Sequence, residues 1–281
     1  YLEAELKSGQ TLSFDGRVVS VGEGDEYASI AKKNGAKIYY QEDLIDAIWT
    51  DRPPLSEEPV WFLEEKYSGE SSKSKLSRIR KEMEDAGCDT HIVSTLDDIC
   101  WTLNIRGNDI DFFPLVLSYA IIRKDSFELY IDERKLDNKL KSILEKVGVT
   151  LHPYNAIYED VKKFPENSTV LIDKSKLNYA IFNNIPNAVS IVNKRNPEIL
   201  MKALKNPVEV ENIKKAEIKD SVAHVRFMKW LKENLGKIRI TEMSASEKLD
   251  EFRAEMGNFI RDSFEPISSY GPHSAIVHYS S

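Results

Sequence analysis

Between residues 56 and 206 the chain alternates β-rich runs with segments of helical period, and one pair of those runs stands too close together to hold a helix between them. Residues 117–122 and 127–131 are β-rich and flank Arg123-Lys-Asp-Ser126, a polar link that predicts a hairpin. Leu76, Ile79, Met83 and Ala86 fall at helical spacing, with Gly87 as the stop. Strands are predicted over 91–94, 149–152 and 169–172, and helices over 137–147 and 155–163. Thr95-Leu-Asp-Asp98 reads as a capping box, starting a helix through Cys100 and Trp101 toward Gly107. Alternation of this kind means an α/β layer. A four-residue link forces its two strands to run antiparallel, so the sheet must be mixed.

The flanks read differently. In 1–55, Thr11-Leu-Ser-Phe-Asp15 predicts a strand, 27–33 a helix closed by Asn34-Gly35, 37–40 a strand and 43–49 a short helix that Pro53-Pro54 stops. Val21-Gly-Glu-Gly-Asp25 lacks the third glycine of a dinucleotide loop and reads as a solvated turn. Ser68-Gly-Glu-Ser-Ser72 looks like a linker. From about Val208 to Leu235 runs one long helix with Ile213, Ala216, Ala223, Phe227, Trp230 and Leu235 as its stripe; Asp220 shares that stripe. Thr241 caps a second helix with Ala245, Leu249, Phe252 and Met256 inward. Residues 263–267 and 275–279 are strand-like, with Gly271-Pro272 between them. A faint repeat joins the first segment to the second: Thr11–Asp15 resembles Thr169-Val-Leu-Ile-Asp173, and Tyr27-Ala28 resembles Tyr179-Ala180. Segment 1–55 is then the tail of a domain like 56–206.

Composition removes several functions. Acidic residues outnumber basic ones by 46 to 39, for a net charge of −7, which argues against a nucleic-acid partner. No apolar run approaches the ~20 residues of a membrane span, so no membrane partner is expected. Cys88 and Cys100 read as buried free thiols. The five histidines, His91, His152, His224, His273 and His278, fit no metal-ligand spacing. His224 follows Asp220 by four, an ion-pair spacing. No phosphate loop or nucleophile elbow appears, so the residues by themselves assemble no cofactor or metal site.

Collinear motifs supply a resemblance. Ile48-Trp-Thr-Asp-Arg-Pro53; Ser94-Thr-Leu-Asp-Asp-Ile-Cys-Trp-Thr-Leu-Asn-Ile-Arg-Gly107 with Asp109 and Pro114; Thr241-Glu-Met-Ser-Ala245; and Ile267-Ser-Ser-Tyr-Gly-Pro272 with Ala275-Ile-Val-His-Tyr279 resemble three-domain Xaa-Pro aminopeptidases. The resemblance implies an α/β fold: residues 1–55 as the C-terminal part of a first domain, 56–206 as a creatinase/prolidase N-terminal-like second domain with a mixed sheet, and 207–281 as the incomplete start of a pita-bread α+β catalytic domain. It implies a cytoplasmic metallopeptidase releasing the N-terminal residue from peptides with proline in second position, and leaves a homodimeric parent open. Two divalent metals, manganese in the family's usual form, would be held by two Asp, one His and two Glu located after the His-Tyr strand. None of those ligands falls within this chain, which does not begin with Met and is expected to be an internal fragment without metal or activity of its own.

The family residue that carries over is His278, as a catalytic group that hydrogen-bonds the substrate or its oxyanion. Two departures stand out: Gly271-Pro-His-Ser274 where the family commonly has Gly-Pro-Asn-Gly, and Phe113 rather than Asn before Pro114. Arg106 gains no catalytic role; a helix-end contact or ion pair is expected. The rival readings are a non-catalytic pita-bread module that binds peptides or proteins, and a prolidase- or creatinase-like enzyme. Tyr-Gly-Pro with His-Tyr favours the peptidase over the first, and the Asn104-Ile-Arg-Gly107 and Ser118-Tyr-Ala120 stretches disfavour the second, whose enzymes have one N-terminal domain rather than two.

Overall fold

A computed structural model describes residues 1–280. They form two compact units, the first comprising 1–65, 70–109 and 115–204, and the second 66–69, 110–114 and the chain from Lys205 onward.

The strands are β1 (Thr11–Ser13), β2 (Lys37–Tyr39), β3 (Trp61–Phe62), β4 (Thr90–Val93), β5 (Ile105–Arg106), β6 (Tyr119–Arg123), β7 (Phe127–Tyr130), β8 (Val149–His152), β9 (Thr169–Ile172) and β10 (Ser190–Asn193), all in the first unit. Six of them form one sheet in the order β10-β9-β4-β6-β7-β8. β6 runs antiparallel to β4 and to β7, and the other pairs are parallel, as the hairpin requires. Side chains alternate across the sheet with period two. Val93, Ala120, Ile122 and Leu129 face the helix Ser72–Asp85 with its Leu76, Ile79 and Met83. Ile92, Ile121, Tyr130 and Ile172 face Ile157, Val161 and Ile181 on the other side. Both faces are covered, which is why β4 is apolar or hydrogen-bonded at every position instead of alternating polar and apolar. Each buried Val, Leu, Ile or Met side chain among them contributes about 1.5–3 kcal/mol by leaving water.

The repeat is visible as matched βαβ units. β1 and β2 are parallel around the helix Val21–Lys33, and β9 and β10 are parallel around the helix Tyr179–Asn184. The two units meet through reciprocal bonds related by a constant offset of 158. Val21 N donates to Leu177 O and Tyr179 N to Val19 O, both at 2.9 Å; Gly22 N donates to Lys174 O at 2.9 Å and Ala180 N to Gly16 O at 2.8 Å. Ser20 and Asn178, the two N-caps, form an antiparallel bridge at the centre. Asp15 and Asp173 each accept the amide two residues on.

Several local expectations are corrected. The 21–25 stretch is no solvated turn: Ser20 and Glu23 form a capping box, so the helix starts at Val21. Gly24 within it packs so close to Tyr179 that an added Cβ would lie 2.1 Å from the ring. Residues 43–49 make turns rather than a helix, with Asp43 accepting from Ile45 N and from Arg52. Thr95 caps no amide; its hydroxyl donates to the Asp98 carboxylate, which Asn196 and Lys202 also engage. The helix runs over Leu96–Leu103 and ends at Asn104, in left-handed conformation with φ 53°.

In the second unit the long helix is Pro207–Asn234, capped by Asn206 and Glu209. Asn206 also donates to Ser68 O at 2.8 Å, across Gly69, whose φ of 68° suits glycine and whose Cβ would lie 2.2 Å from the Asn206 side chain. Of the expected stripe only Ala223 is fully buried, while Ile213 and Leu235 are exposed. Helix Glu242–Glu255 follows, with Thr241 and Ser244 capping reciprocally. The strands expected at 263–267 and 275–279 do not form: Gly271–Ala275 is a 3₁₀ turn, and 276–278 turns again. A strand needs a partner edge for its amides, and no strand occurs among the described residues of this unit.

Candidate functional site

His278 lies in that final turn, solvent-exposed, with φ 58°. Among the described residues its imidazole has no hydrogen-bond partner. What surrounds it is more ordered. Glu242, the first residue of its helix, accepts from Tyr270 N at 2.5 Å, from His273 Nδ1 at 2.9 Å and from Tyr279 Oη at 2.9 Å. Ser268 Oγ donates to the Glu242 carbonyl at 2.7 Å. His273 and Tyr279 stack with ring centroids 4.6 Å apart. Partial burial works against the Glu242 charge, but the donors, with His273 the strongest, outweigh it and hold the carboxyl below its usual range. The Tyr279 hydroxyl is pushed up by the same carboxylate. Glu242 thus ties 268–279 to the helix and fixes the residue next to His278. Sequence reasoning passed over Glu242, although it stands inside the Thr241-Glu-Met-Ser motif; its partners lie 28 to 37 residues later, beyond any local pattern.

The other singled-out residues have structural partners. Arg106 Nη1 donates to Cys100 O and Ile105 O at 2.9 and 2.8 Å, a helix-end contact. Asp109 is buried with Lys135 and accepts Leu117 N. Asp220 accepts from Arg253 at 2.8 Å and lies 3.3 Å from His224 Nδ1. His152 bonds Glu128 and stacks on Tyr130. His91 is wholly buried, with Leu171 O 3.0 Å from Nδ1 and Glu198 3.3 Å from Nε2. Two acceptors require both ring nitrogens to carry protons; burial opposes that charge, and Glu198 overcomes it, so the value is raised. Both cysteines are free and buried, and burial raises the Cys100 thiol to about 11. Among the described residues no three His, Cys, Asp or Glu side chains converge to hold a metal ion.

Residues 51–209, more than half of the chain, match the creatinase/prolidase N-terminal domain. The chain belongs to the creatinase/prolidase N-terminal domain family. Residues 211–281 match metallopeptidase family M24. Relatives of this family member include a probable Xaa-Pro aminopeptidase P from Neurospora crassa, 35% identical over 98% of this chain and 42% of its own length. Xaa-Pro aminopeptidase 1 from Dictyostelium discoideum is 34% identical over 99% of this chain and 46% of its own. A crystal structure of X-prolyl aminopeptidase from Caenorhabditis elegans, described as a cytosolic enzyme with a di-nuclear active site, superposes with a TM-score of 0.90 at 30% identity, covering 99% of this chain and 46% of that one. The chain therefore spans less than half the length of these relatives. No helix among the described residues is long and apolar enough to cross a membrane.

Proposed function

We propose that this chain is part of a cytoplasmic, homodimeric Xaa-Pro aminopeptidase, which hydrolyses the bond before a proline in second position. The observation that carries the reading is the collinear match of nearly the whole chain to Xaa-Pro aminopeptidases, together with the M24 match over the segment that holds Glu242 and His278. Residues 1–55 are read as the tail of a first domain, 56–206 as the second, and 207 onward as the opening of the catalytic domain. The offset-158 contacts support the first two assignments by showing two like βαβ units.

Two divalent ions, manganese by preference, would activate water in such an enzyme. The residues present do not fit a metal pair, since no ligand set converges among them. In this reading the metal ligands follow the His278-Tyr279 pair. His278 contributes an N–H to the carbonyl oxygen of the scissile bond as negative charge develops there. Glu242 holds His273 and Tyr279 and so limits where His278 can point. The test is a peptide panel on the longer protein: Xaa-Pro-Xaa substrates should be cleaved, and matched Xaa-Ala-Xaa peptides should resist. Equal cleavage of both, or none of either with metal supplied, would overturn the assignment.

A further inference from the structure

A cleft of about 640 Å³ opens at the carboxyl ends of the parallel strands β4, β9 and β10, wholly within the first unit. Crevices at such strand ends are where α/β sheets admit ligands, because three loops converge there. Here the loops are held in place by one another. Ser94 Oγ donates to Lys176 O at 3.0 Å, Lys174 N to Asn193 Oδ1 at 3.0 Å, and Lys194 N to Ile172 O at 2.9 Å.

The acids of the cleft are hydrogen-bonded in place, and most of its cations are not. Asp98, fully buried, accepts from Asn196 at 3.1 Å, from Lys202 at 2.7 Å and from Thr95. Asp173 is used by Ser175, whose amide and hydroxyl both donate to Oδ1. Asp97 pairs with Lys202. Beside these acids stand Lys176, Lys194 and Arg195, which also line the cleft and are exposed; the backbones of the two lysines are bonded, but the charged side-chain ends of all three have no hydrogen-bond or ion-pair partner among the described residues. The lining carries four cations, Lys176, Lys194, Arg195 and Lys202, against three acids, Asp97, Asp98 and Asp173, so in a chain of net charge −7 this polar cavity has a local excess of positive charge, carried by the three side chains that make no ion pair. Ile199 is the only apolar side chain in the lining, and no aromatic ring is there to stack on a base.

We propose that this cleft binds a multiply charged anion without an aromatic ring, of the oligophosphate or polycarboxylate class. Its volume exceeds what a single small ion needs, and Lys194 and Arg195 at one side with Lys176 at another suit charge distributed along the ligand.

Calorimetric titration of the 281-residue chain with tripolyphosphate and with citrate at low salt tests this, with AMP as the aromatic comparison. Tripolyphosphate or citrate should bind below about 1 mM, more tightly than AMP, and lose affinity as salt rises. The double variant K194Q/R195Q should weaken binding by about a hundredfold, a factor of ten for each lost charged contact. Both side chains are exposed and unpartnered, so folding is undisturbed. K139Q/K146Q, on the exposed face of another helix, should leave binding unchanged, and Asp97→Asn should tighten it several-fold by removing a negative charge from the wall. No binding of either probe, binding indifferent to K194Q/R195Q, or weakening by Asp97→Asn would overturn the proposal. Preference for tripolyphosphate over citrate would assign the phosphate source, and the reverse the carboxylate.

Discussion

The first unit buries side chains on both faces of a six-stranded sheet, from Leu76 and Ile79 on one side to Ile157 and Ile181 on the other. The second has Ala223 as its one fully buried apolar residue among those described, and leaves Ile218, Val225 and Val277 largely in water. What orders the second is polar: Arg253 bridging Asp220, Asp250 and Asp262, the caps at Asn206 and Thr241, and Glu242 with its three donors. Hydrophobic burial scales with area and gives a unit that stands alone, whereas exposed ion pairs are worth little each and fix geometry more than they add stability. The contrast separates a sheet unit with a core on both faces from a helical unit ordered chiefly by polar contacts.

The sharpest way to break this contrast is a pair of truncations. Phe127→Ala, at a residue 1% exposed, should cost about 3–5 kcal/mol in denaturant unfolding, while Ile218→Ala, at one 65% exposed, should stay within about 0.5 kcal/mol. Similar costs at the two sites would mean that the second unit has a core of its own. A buried charge should separate the units next. Because His91 is raised in the folded protein, its pairing with Glu198 stabilises fully below the unfolded value of about 6.5, and that contribution is lost as pH rises through the folded value. Stability of the first unit should fall along that alkaline limb, and His91→Gln should flatten it. An unchanged profile would show that Glu198 does not hold His91 in its protonated form.

Gly24→Ala tests the junction of the two βαβ units. The new Cβ meets the Tyr179 ring, so the variant should lose about 1–3 kcal/mol although alanine is the better helix former. A gain in stability would mean that Tyr179 is not held there. The smallest effect belongs to the second unit. Glu242 is held below the usual carboxylate range, so its anchoring is present above the unfolded value of about 4.3 and is lost as pH falls through the lowered folded value. Proton resonances of His273 and Tyr279 should shift together in that acid window, and Glu242→Ala should abolish the joint step; independent shifts would separate the two rings from Glu242.

These differences also explain what could be read in advance. The sheet was legible because its signals are local: the polar link 123–126 forces antiparallel pairing, and the β-rich run at 169–172 stands out alone. The 158-residue offset was legible through Asp15 and Asp173, whereas the match of Tyr27-Ala28 to Tyr179-Ala180, offset by 152, was wrong: the reciprocal bonds make Val21 and Gly22 the counterparts of Tyr179 and Ala180, about the Ser20–Asn178 bridge. The Thr95 capping box misled because Asp98 is claimed by Asn196 and Lys202, about a hundred residues on. Ser20-Val-Gly-Glu23 was the true capping box and was masked by its glycines. The strand expected at 275–279 has β-rich composition and no partner edge, and composition cannot supply one. Of the candidate site, His278 came from the family resemblance; Glu242, whose contacts are long-range, came only from the fold.

The most direct test of the functional reading is His278→Ala in the longer protein, assayed on an Xaa-Pro-Xaa peptide. If the imidazole stabilises charge on the carbonyl oxygen, kcat should fall by about 10²–10³ while Tm and bound metal stay at their wild-type values. Turnover within about threefold of wild type, or a loss that only follows lost folding or lost metal, would contradict a catalytic role for His278.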